Sequence, residues 1–356
     1  MKRVYLKELK KMVPVKVMSV GLALIVAIVM TFPGSALAKE QWTFKFPTFE
    51  PEHSLFSKQY WHWWCDRVEE LSEGRVKFEK YPGQTLIKAP DIFEAVKDGI
   101  CETGLFTIPY EAGFVPLPTA KELPFSFVDF NTHHYMWLQF MKVGLQDYFH
   151  SYNVHCVADS AWDAYSFWTS KRWGPIEKLE DLKGCKIRSP GGQMSEACKA
   201  MGAVPVAMPS PEAYTAMERG TLDCLTMPES SNIAFSLEEV TAYICRPDYA
   251  TTGVPIIVNL DIWNSLPKEI QDIMHQAGEE AYFNCSEQIM KADTELIAPI
   301  VKKRGIKVVD LDPKERERMR KACAVVWDNW LEKNGDTFNG LGKKMYDIVV
   351  RTVGRP

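Results

Sequence analysis

Strand-type and helix-type hydrophobic spacings alternate along the chain from residue 42 onward. Residues 42–46 have the spacing of a strand, and the apolar residues between Phe56 and Leu71 recur on one helical face. The same pattern predicts strands at 76–78, 102–108 and 154–158, and helices at 91–97 and 131–149. Such alternation is typical of an α/β protein with largely parallel sheets.

A second run of the same kind occupies residues 165–247, and a further strand is predicted at 253–258. An unusually long helical pattern then runs from Pro267 toward Arg304, with a kink expected at Pro299. At 1.5 Å per residue such a helix is roughly 55 Å long, more than the width of one small lobe. The pattern therefore predicts two lobes bridged by a long helix. Two shorter helices are predicted at 313–332 and 337–350.

The first 38 residues have the layout of an export signal. Six basic residues precede an apolar run at 20–32, and Ala36-Leu37-Ala38 forms an A-x-A cleavage site. A membrane anchor is the alternative, but the apolar run is short for a bilayer span. We therefore expect cleavage after Ala38 and a soluble mature protein in the periplasm.

Cleavage makes the mature protein more acidic. The removed segment carries six basic residues and one acid, Glu8, so the formal net charge falls from −4 to −9. An acidic protein of this kind is a poor candidate for binding nucleic acid or anionic membrane surfaces.

The nine cysteines are scattered without a C-x-x-C motif, so neither a zinc site nor a redox site is indicated. Several lie in apolar, strand-like runs, where a free thiol behaves as a small core side chain. Buried free thiols are the preferred interpretation, and a Cys185–Cys198 disulfide remains the alternative.

The most informative segment centres on Arg188. A short apolar strand ends on this arginine, and the turn Pro190-Gly191-Gly192 opens the next helix. At such a position a guanidinium presents a planar cationic fork to a carboxylate, and the helix amides add partial positive charge. A structural ion pair is the alternative interpretation.

Several motifs, taken in this order, resemble those of one protein family. They include Tyr81-Pro82-Gly83-Gln84-Thr85-Leu86, Glu122-Leu123-Pro124-Phe125-Ser126-Phe127, and the block from Leu179-Glu180-Asp181-Leu182-Lys183-Gly184 through Arg188, Tyr214 and Gly220-Thr221-Leu222-Asp223. Over nearly the whole mature chain, the sequence resembles the DctP-type (dicarboxylate-binding) solute-binding proteins of tripartite ATP-independent periplasmic (TRAP) transporters.

The resemblance implies an α/β, two-lobed, periplasmic-binding-protein-like (type II) fold with a long interlobe helix, which closes on its ligand. After the signal peptide 1–38, lobe I is expected to comprise residues 39–163 with 254–290, and lobe II residues 164–253 with 291–356. The protein would capture a small organic acid and deliver it to the membrane permease subunits. We expect a monomer without a cofactor, a metal or a nucleic-acid partner.

The resemblance also implies a binding site. Arg188 matches the family arginine that forms a salt bridge with the ligand carboxylate. Ser166 stands where many members carry a second arginine, Met227 where they carry an asparagine, and Ser210 where an aromatic residue is frequent.

Two tryptophans lie near the expected lobe crossing and either contact the ligand or pack the hinge. The expected ligand-binding residues are thus Arg188, Trp168, Ser166, Trp162, Ser210, Met227 and Thr107. A site with one arginine and several rings favours a monocarboxylate with an apolar or aromatic body. C4-dicarboxylates and sulfonates are the alternatives.

A secreted hydrolase is the competing class of protein. However, no G-x-S-x-G, H-E-x-x-H or P-loop motif occurs, and the seven histidines follow no triad order. The adjacent His133 and His134 point about 100° apart on a helix, so we expect solvated side chains and not metal ligands. We therefore expect no enzymatic activity. Presentation of the ligand to a sensor kinase is a further alternative, which the sequence does not separate from transport.

Overall fold

The computed structural model describes residues 40–356, so the predicted signal peptide 1–38 lies outside the described residues. The strands are β1 Trp42–Pro47, β2 Val76–Tyr81, β3 Thr103–Leu105, β4 Val154–Ala158, β5 Tyr165–Thr169, β6 Lys186–Ser189, β7 Val204–Ala207, β8 Cys224–Pro228, β9 Tyr243–Cys245, β10 Ile256–Asn259 and β11 Lys307–Val309. The α-helices are α1 His62–Leu71, α2 Ile92–Lys97, α3 Phe130–Phe140, α4 Gln146–His150, α5 Gly192–Ala200, α6 Ala213–Glu218, α7 Glu229–Ala234, α8 Leu260–Ser265, α9 Lys268–Ala292, α10 Ala298–Arg304, α11 Pro313–Ala322, α12 Ala324–Asn334 and α13 Thr337–Val353.

The strands form two groups, which we call the first and the second lobe. In the first lobe, β1 pairs in parallel with β2, and β10 lies between β3 and β4. The second lobe has one six-stranded sheet in the order β11-β9-β5-β8-β6-β7. The two-lobed α/β architecture predicted from the sequence is confirmed.

The strand directions are more mixed than the sequence pattern predicted. The pairs β6–β7, β6–β8 and β9–β11 are parallel, as expected. In contrast, β5 runs antiparallel to β8 and β9, and β10 runs antiparallel to β3 and β4. These two strands are the ones that follow a crossing from one lobe to the other, so each enters its sheet in the opposite direction.

Side-chain alternation divides the second-lobe sheet into two apolar faces. Tyr165 and Phe167 pack in one core cluster with Ile187 and Cys224. Trp168 packs in the other cluster, beside Leu225. Successive side chains of a strand point to opposite faces. The predicted placement of Trp168 on the face opposite Tyr165 and Phe167 is confirmed.

The long helical run bridges the two lobes, as predicted. Its first part, α9, buries Ile270 and Met274 in the first-lobe core, whereas Ile297 and Val301 pack in the second-lobe core beside Trp168. A π-helical turn at Asp293–Ile297 interrupts the run just before Pro299. Because proline cannot donate the helical hydrogen bond, a wider turn is accommodated there.

The C-terminal helices differ from the sequence expectation in two respects. The helix predicted at 313–332 is two helices, α11 and α12, which meet at Cys323. Residues of α12 and α13, among them Trp327 and Met345, are buried in the first-lobe core. The earlier part, including Met319, packs in a second-lobe core cluster. This packing departs from the expected grouping of the whole segment 291–356 with lobe II.

All nine cysteines are buried free thiols, so Cys185 and Cys198 are not bridged. The expectation of solvated histidines at 133 and 134 is wrong for His133, which is fully buried in α3 because it faces the first-lobe core. Across residues 40–356, none of the helices combines the length and the apolar character that a bilayer crossing needs.

Candidate functional site

Arg188 lies near the carboxyl end of β6 and is only 1% exposed. Its Nε donates to the Met208 carbonyl at 3.0 Å, and its Nη1 to the Thr226 carbonyl at 3.3 Å. Its Nη2 donates to the Ser210 hydroxyl at 3.1 Å and to the Tyr110 hydroxyl at 3.3 Å. The parallel strands β6, β7 and β8 bring these backbone acceptors to one edge of the sheet.

All four acceptors of Arg188 are electrically neutral. Within residues 40–356 it forms no ion pair with a carboxylate. By contrast, Arg246 donates to both oxygens of Glu229, each at 2.7 Å. A buried cation without a counter-ion is costly, and a bound anion removes that cost. This arrangement does not fit the alternative of a structural ion pair at Arg188.

Tyr110 reaches Arg188 from the first lobe. It belongs to a short 3₁₀ turn, Ile108–Glu111, that Pro109 helps to start. Besides accepting from Arg188, its hydroxyl accepts from the Ser210 backbone amide at 3.0 Å and lies 3.2 Å from the Ser210 hydroxyl. The two lobes are therefore in direct contact at the arginine, as in a closed clamshell.

The turn before α5 tightens the same contact. Gly191 has a φ of +109°, and a Cβ placed there would lie 2.9 Å from the Pro109 carbonyl oxygen of the first lobe. Glycine permits both the backbone conformation and the close approach. The Pro190-Gly191-Gly192 motif thus forms part of the interlobe surface.

Three further predicted site residues share a sheet face with Arg188. Arg188 pairs with Leu225, which pairs with Trp168 on β5. Two residues earlier on β5, Ser166 pairs with Met227 on β8. Since paired residues and alternate residues point to the same side, all of these side chains lie on one face.

Trp168 and Ser166 are joined by a buried hydrogen bond. The indole Nε1 of Trp168 donates to the Ser166 hydroxyl at 2.8 Å, and both residues are buried. Trp168 also packs with the apolar residues of the second lobe, including Met227. Their geometry supports a packing role beneath the site at least as well as direct ligand contact.

The predicted site residues Trp162 and Thr107 lie in the first lobe, and each has a buried polar atom without a hydrogen-bond partner among residues 40–356. Trp162 packs against Phe49 and Phe56, with ring centroids 6.0 and 4.7 Å apart. Its indole Nε1 is buried without a hydrogen-bond partner among residues 40–356, and the same holds for the Thr107 hydroxyl. Each can bond to an enclosed ligand, since buried polar groups are nearly always paired.

Sequence reasoning missed two residues that the structure brings to the site. Tyr110 contacts Arg188 directly, and Phe49 lies between Tyr110 and Trp162, with its ring centroid 5.5 Å from that of Tyr110. The sequence held a weak indication that Tyr110 belongs to the site, because it lies three residues after Thr107 and directly follows Pro109. Nothing local indicates that its hydroxyl reaches the other lobe.

A buried charged cluster lies beside the lobe crossing. Lys121 forms an ion pair with Asp159 and lies over the Trp137 ring, and both charged side chains are almost fully buried. Glu122 accepts a hydrogen bond from Thr252, and burial raises its pKa to about 8. The Lys121 side chain occupies the space where a Cβ on Gly253 would lie. Because the Lys121 side chain leaves no room for a Cβ, only glycine fits at residue 253 of the crossing segment.

A separate cavity near the hinge is unsuited to an organic anion. It is lined mainly by acidic residues around Arg246: Asp163, Glu229, Asp248 and Asp293. Burial raises the pKa of Asp163 to about 6. Within the described part of the chain, no three His, Cys, Asp or Glu side chains are grouped to hold a metal ion.

Comparison with known proteins assigns the family. Residues 46–334 match the profile of the DctP family, described as bacterial extracellular solute-binding protein, family 7. The chain is 27% identical over 307 residues to the 2,3-diketo-L-gulonate-binding periplasmic protein YiaO of Escherichia coli, covering 84% of this chain and 90% of that protein.

Solved structures show the same fold. DctP6 of Bordetella pertussis, an extracytoplasmic solute receptor binding pyroglutamic acid, superimposes with a TM-score of 0.78 at 20% identity, covering 87% of this chain and 99% of that one. A TRAP solute-binding protein of Rhodoferax ferrireducens, in complex with copurified benzoate, gives 0.79 at 22% identity, with 87% and 97% coverage. The chain therefore belongs to the DctP family of extracellular solute-binding proteins, the ligand-capturing components of TRAP transporters.

Proposed function

We propose that this protein binds a small monocarboxylate with an apolar or aromatic body between its lobes, with Arg188 as the carboxylate partner. The observation that carries the proposal is the burial of this guanidinium among neutral acceptors only. The closed complex then delivers the acid to the permease subunits of a TRAP transporter.

The body of the ligand is inferred from the first-lobe side of the site. Phe49, Tyr110 and Trp162 supply adjoining aromatic surface, and their rings are in edge contact through Phe49. Trp162 Nε1 and the Thr107 hydroxyl offer hydrogen bonds to a polar atom on that body. A single arginine with adjoining rings suits one carboxylate on a compact, partly apolar molecule.

Two relatives bind acids of this description. Pyroglutamate and benzoate are both monocarboxylates with a ring, and they are the ligands of the Bordetella and Rhodoferax proteins. Other relatives bind malonate or L-gulonate, so the family accepts more than one class of acid. The replacement of polar family positions by Ser166 and Met227 favours the less polar class here.

The remaining parts of the proposal concern the mature protein. We propose export with cleavage after Ala38, action as a monomer, and binding without chemical conversion of the ligand. The family consists of binding receptors, which supports the last point.

Thermal unfolding against a panel of acids tests the proposal. Benzoate, pyroglutamate, malonate and L-gulonate are added to residues 39–356 after denaturation and refolding, which removes any copurified ligand. A ligand at one hundred times its dissociation constant stabilises by about 2.7 kcal/mol. We expect a ring monocarboxylate to raise the midpoint in the wild type.

Two variants complete the test. Arg188→Ala is expected to lose the ligand-dependent shift, whereas Arg67→Ala, which removes an arginine paired with Glu280 on the first lobe, should keep it. A shift that survives in Arg188→Ala contradicts the carboxylate assignment. A shift only with malonate or gulonate contradicts the proposed ligand class.

A further inference from the structure

Thr107 and Trp162 lie on the same face of the first-lobe sheet, close to the lobe crossing. The Ile108 amide donates to the Gly253 carbonyl at 3.4 Å, and Ala161 forms an antiparallel bridge with the same glycine. These three residues therefore form one row across the sheet. Thr107 directly precedes this row and Trp162 directly follows it, so both side chains point to the face opposite the row.

Contacts on this face lead to Arg188. The Trp162 ring packs against Phe49, whose ring centroid lies 5.5 Å from that of Tyr110. The Tyr110 hydroxyl accepts from Arg188, and its backbone amide donates to the Thr107 carbonyl at 3.0 Å. Thr107 and Trp162 are thus each linked to the arginine through Tyr110. They lie at the first-lobe end of the proposed site, and the guanidinium lies at its second-lobe end.

The two polar atoms at this end differ in what they can bind. The Trp162 and Thr107 side chains are buried, with exposed fractions of 3% and 2%, and neither polar atom has a partner among residues 40–356. An indole N–H can only donate, whereas a threonine hydroxyl either donates or accepts. A buried donor that stays unpaired is costly. Only an acceptor atom on the ligand removes that cost for Trp162.

We propose that the ligand carries a carbonyl oxygen on its body, away from the carboxylate, and that Trp162 and Thr107 select acids by this oxygen. The inference rests on the proposed function, because it takes Arg188 as the carboxylate partner. A carbonyl oxygen has two lone pairs, so one atom can accept from both the indole and the hydroxyl. A hydrocarbon acid of the same size leaves the buried N–H unpaired and is disfavoured.

Calorimetric titration of residues 39–356 with three acids that share a saturated ring of equal size tests the proposal. Cyclopentanecarboxylate has no carbonyl on its ring, and 3-oxocyclopentanecarboxylate adds one. Pyroglutamate has its carbonyl at the corresponding ring position and differs from the keto acid by a ring N–H. We expect the keto acid to bind about tenfold or more tightly than the hydrocarbon acid, the scale set by an unpaired buried donor.

Two variants assign the preference to the proposed residues. Trp162→Phe removes the indole N–H, and Thr107→Val replaces the hydroxyl by a methyl group of similar size. Each should weaken the keto acid and leave the hydrocarbon acid nearly unchanged, so that most of the preference is lost. Trp173→Phe is the matched control, because it removes an indole N–H that donates to the Asp181 carbonyl in the second lobe. This control should keep the full preference. Unfolding midpoints without ligand show that each variant is folded.

The possible results separate this inference from the proposed function. Equal affinities for the keto acid and the hydrocarbon acid in the wild type would overturn the inference, as would a preference that persists in both variants. If both acids bind and lose affinity in Arg188→Ala, but show no preference, only the inference fails. If no ring acid binds, or if binding survives in Arg188→Ala, the proposed function fails as well.

Discussion

The Tyr110 hydroxyl, in the first lobe, accepts a hydrogen bond from Arg188 Nη2, in the second lobe, at 3.3 Å. The same hydroxyl accepts from the Ser210 amide at 3.0 Å. The residue that we propose to bind the ligand carboxylate thus also takes part in the contact that joins the lobes. Ligand capture and closure are therefore expected to depend on the same few atoms.

Tyr110→Phe is expected to weaken ligand binding while leaving the fold intact. The variant keeps the ring contact with Phe49 but removes the hydroxyl that Arg188 and Ser210 use across the lobes. A loss of roughly 0.5–1.5 kcal/mol per hydrogen bond is expected. Titration calorimetry with the identified acid measures this loss. An unchanged affinity would show that the hydroxyl contact does not contribute to the bound state.

Trp162→Phe is expected to affect ligand affinity, and Trp168→Phe the stability of the fold. The Trp162 N–H has no hydrogen-bond partner among residues 40–356. Its removal therefore breaks no hydrogen bond in the free protein, and it should lower ligand affinity. The Trp168 N–H bonds to Ser166 in a fully buried setting, so its removal should chiefly lower the unfolding midpoint. Ligand affinity and the unfolding midpoint are measured on both variants. If the affinity loss follows Trp168 instead, the roles assigned to the two rings are reversed.

Gly191→Ala is expected to oppose closure. The added methyl group would lie 2.9 Å from the Pro109 oxygen of the other lobe. Crowding of this kind typically costs about 1–3 kcal/mol. Gly174→Ala is a matched control, since Gly174 also has a positive φ, +96°, but no atom within 4 Å of the new group.

Affinity and unfolding midpoint distinguish the two glycine variants. Both should lose stability because alanine is strained at such backbone angles. Only Gly191→Ala should also lose ligand affinity, because only there does the methyl group meet the opposite lobe. Equal affinities in the two variants would contradict the closed arrangement of the lobes.

The contributions of Glu122 and Glu50 to thermal stability are expected to fall as pH rises from about 4.5 to 8. Burial raises the pKa of Glu122 from 4.5 to about 8, and that of Glu50 similarly. In this window each of these two carboxyl groups binds more protons in the folded protein than in the unfolded chain, so its contribution to stability falls at higher pH. Buried histidines such as His155, whose pKa is lowered from 6.5, contribute in the opposite direction at lower pH. Glu122→Gln removes one of these groups and should reduce the decline, whereas replacement of the exposed Glu218 by Gln should not. Midpoints measured at several pH values decide, and an identical pH profile in Glu122→Gln would contradict this account.

The sequence predicted the fold well because the relevant signals are local. The strand that carries Arg188 near its end, the glycine turn after it and the helical spacing of 268–304 each depend on neighbouring residues. Strand alternation also placed Ser166 and Trp168 on one face. Local patterns of this kind survive folding because backbone geometry fixes the period.

The features that the sequence did not predict depend on long-range contacts. Tyr110 meets Arg188 only because the lobes close, across 78 positions of sequence. The packing of Trp327 on the first lobe and the burial of His133 depend likewise on distant elements. The mutual hydrogen bond of Trp168 and Ser166 could not be inferred from spacing alone, because rotamers decide it.

The most direct test of the central claim is a calorimetric titration of the acid identified from the panel into the wild type and Arg188→Ala. Removing one partner of a buried, hydrogen-bonded charge pair costs about 2–5 kcal/mol. We therefore predict a dissociation constant raised by roughly 30-fold or more, at about 1.4 kcal/mol per tenfold change. An unchanged dissociation constant in Arg188→Ala, with the fold intact, would show that the carboxylate binds elsewhere.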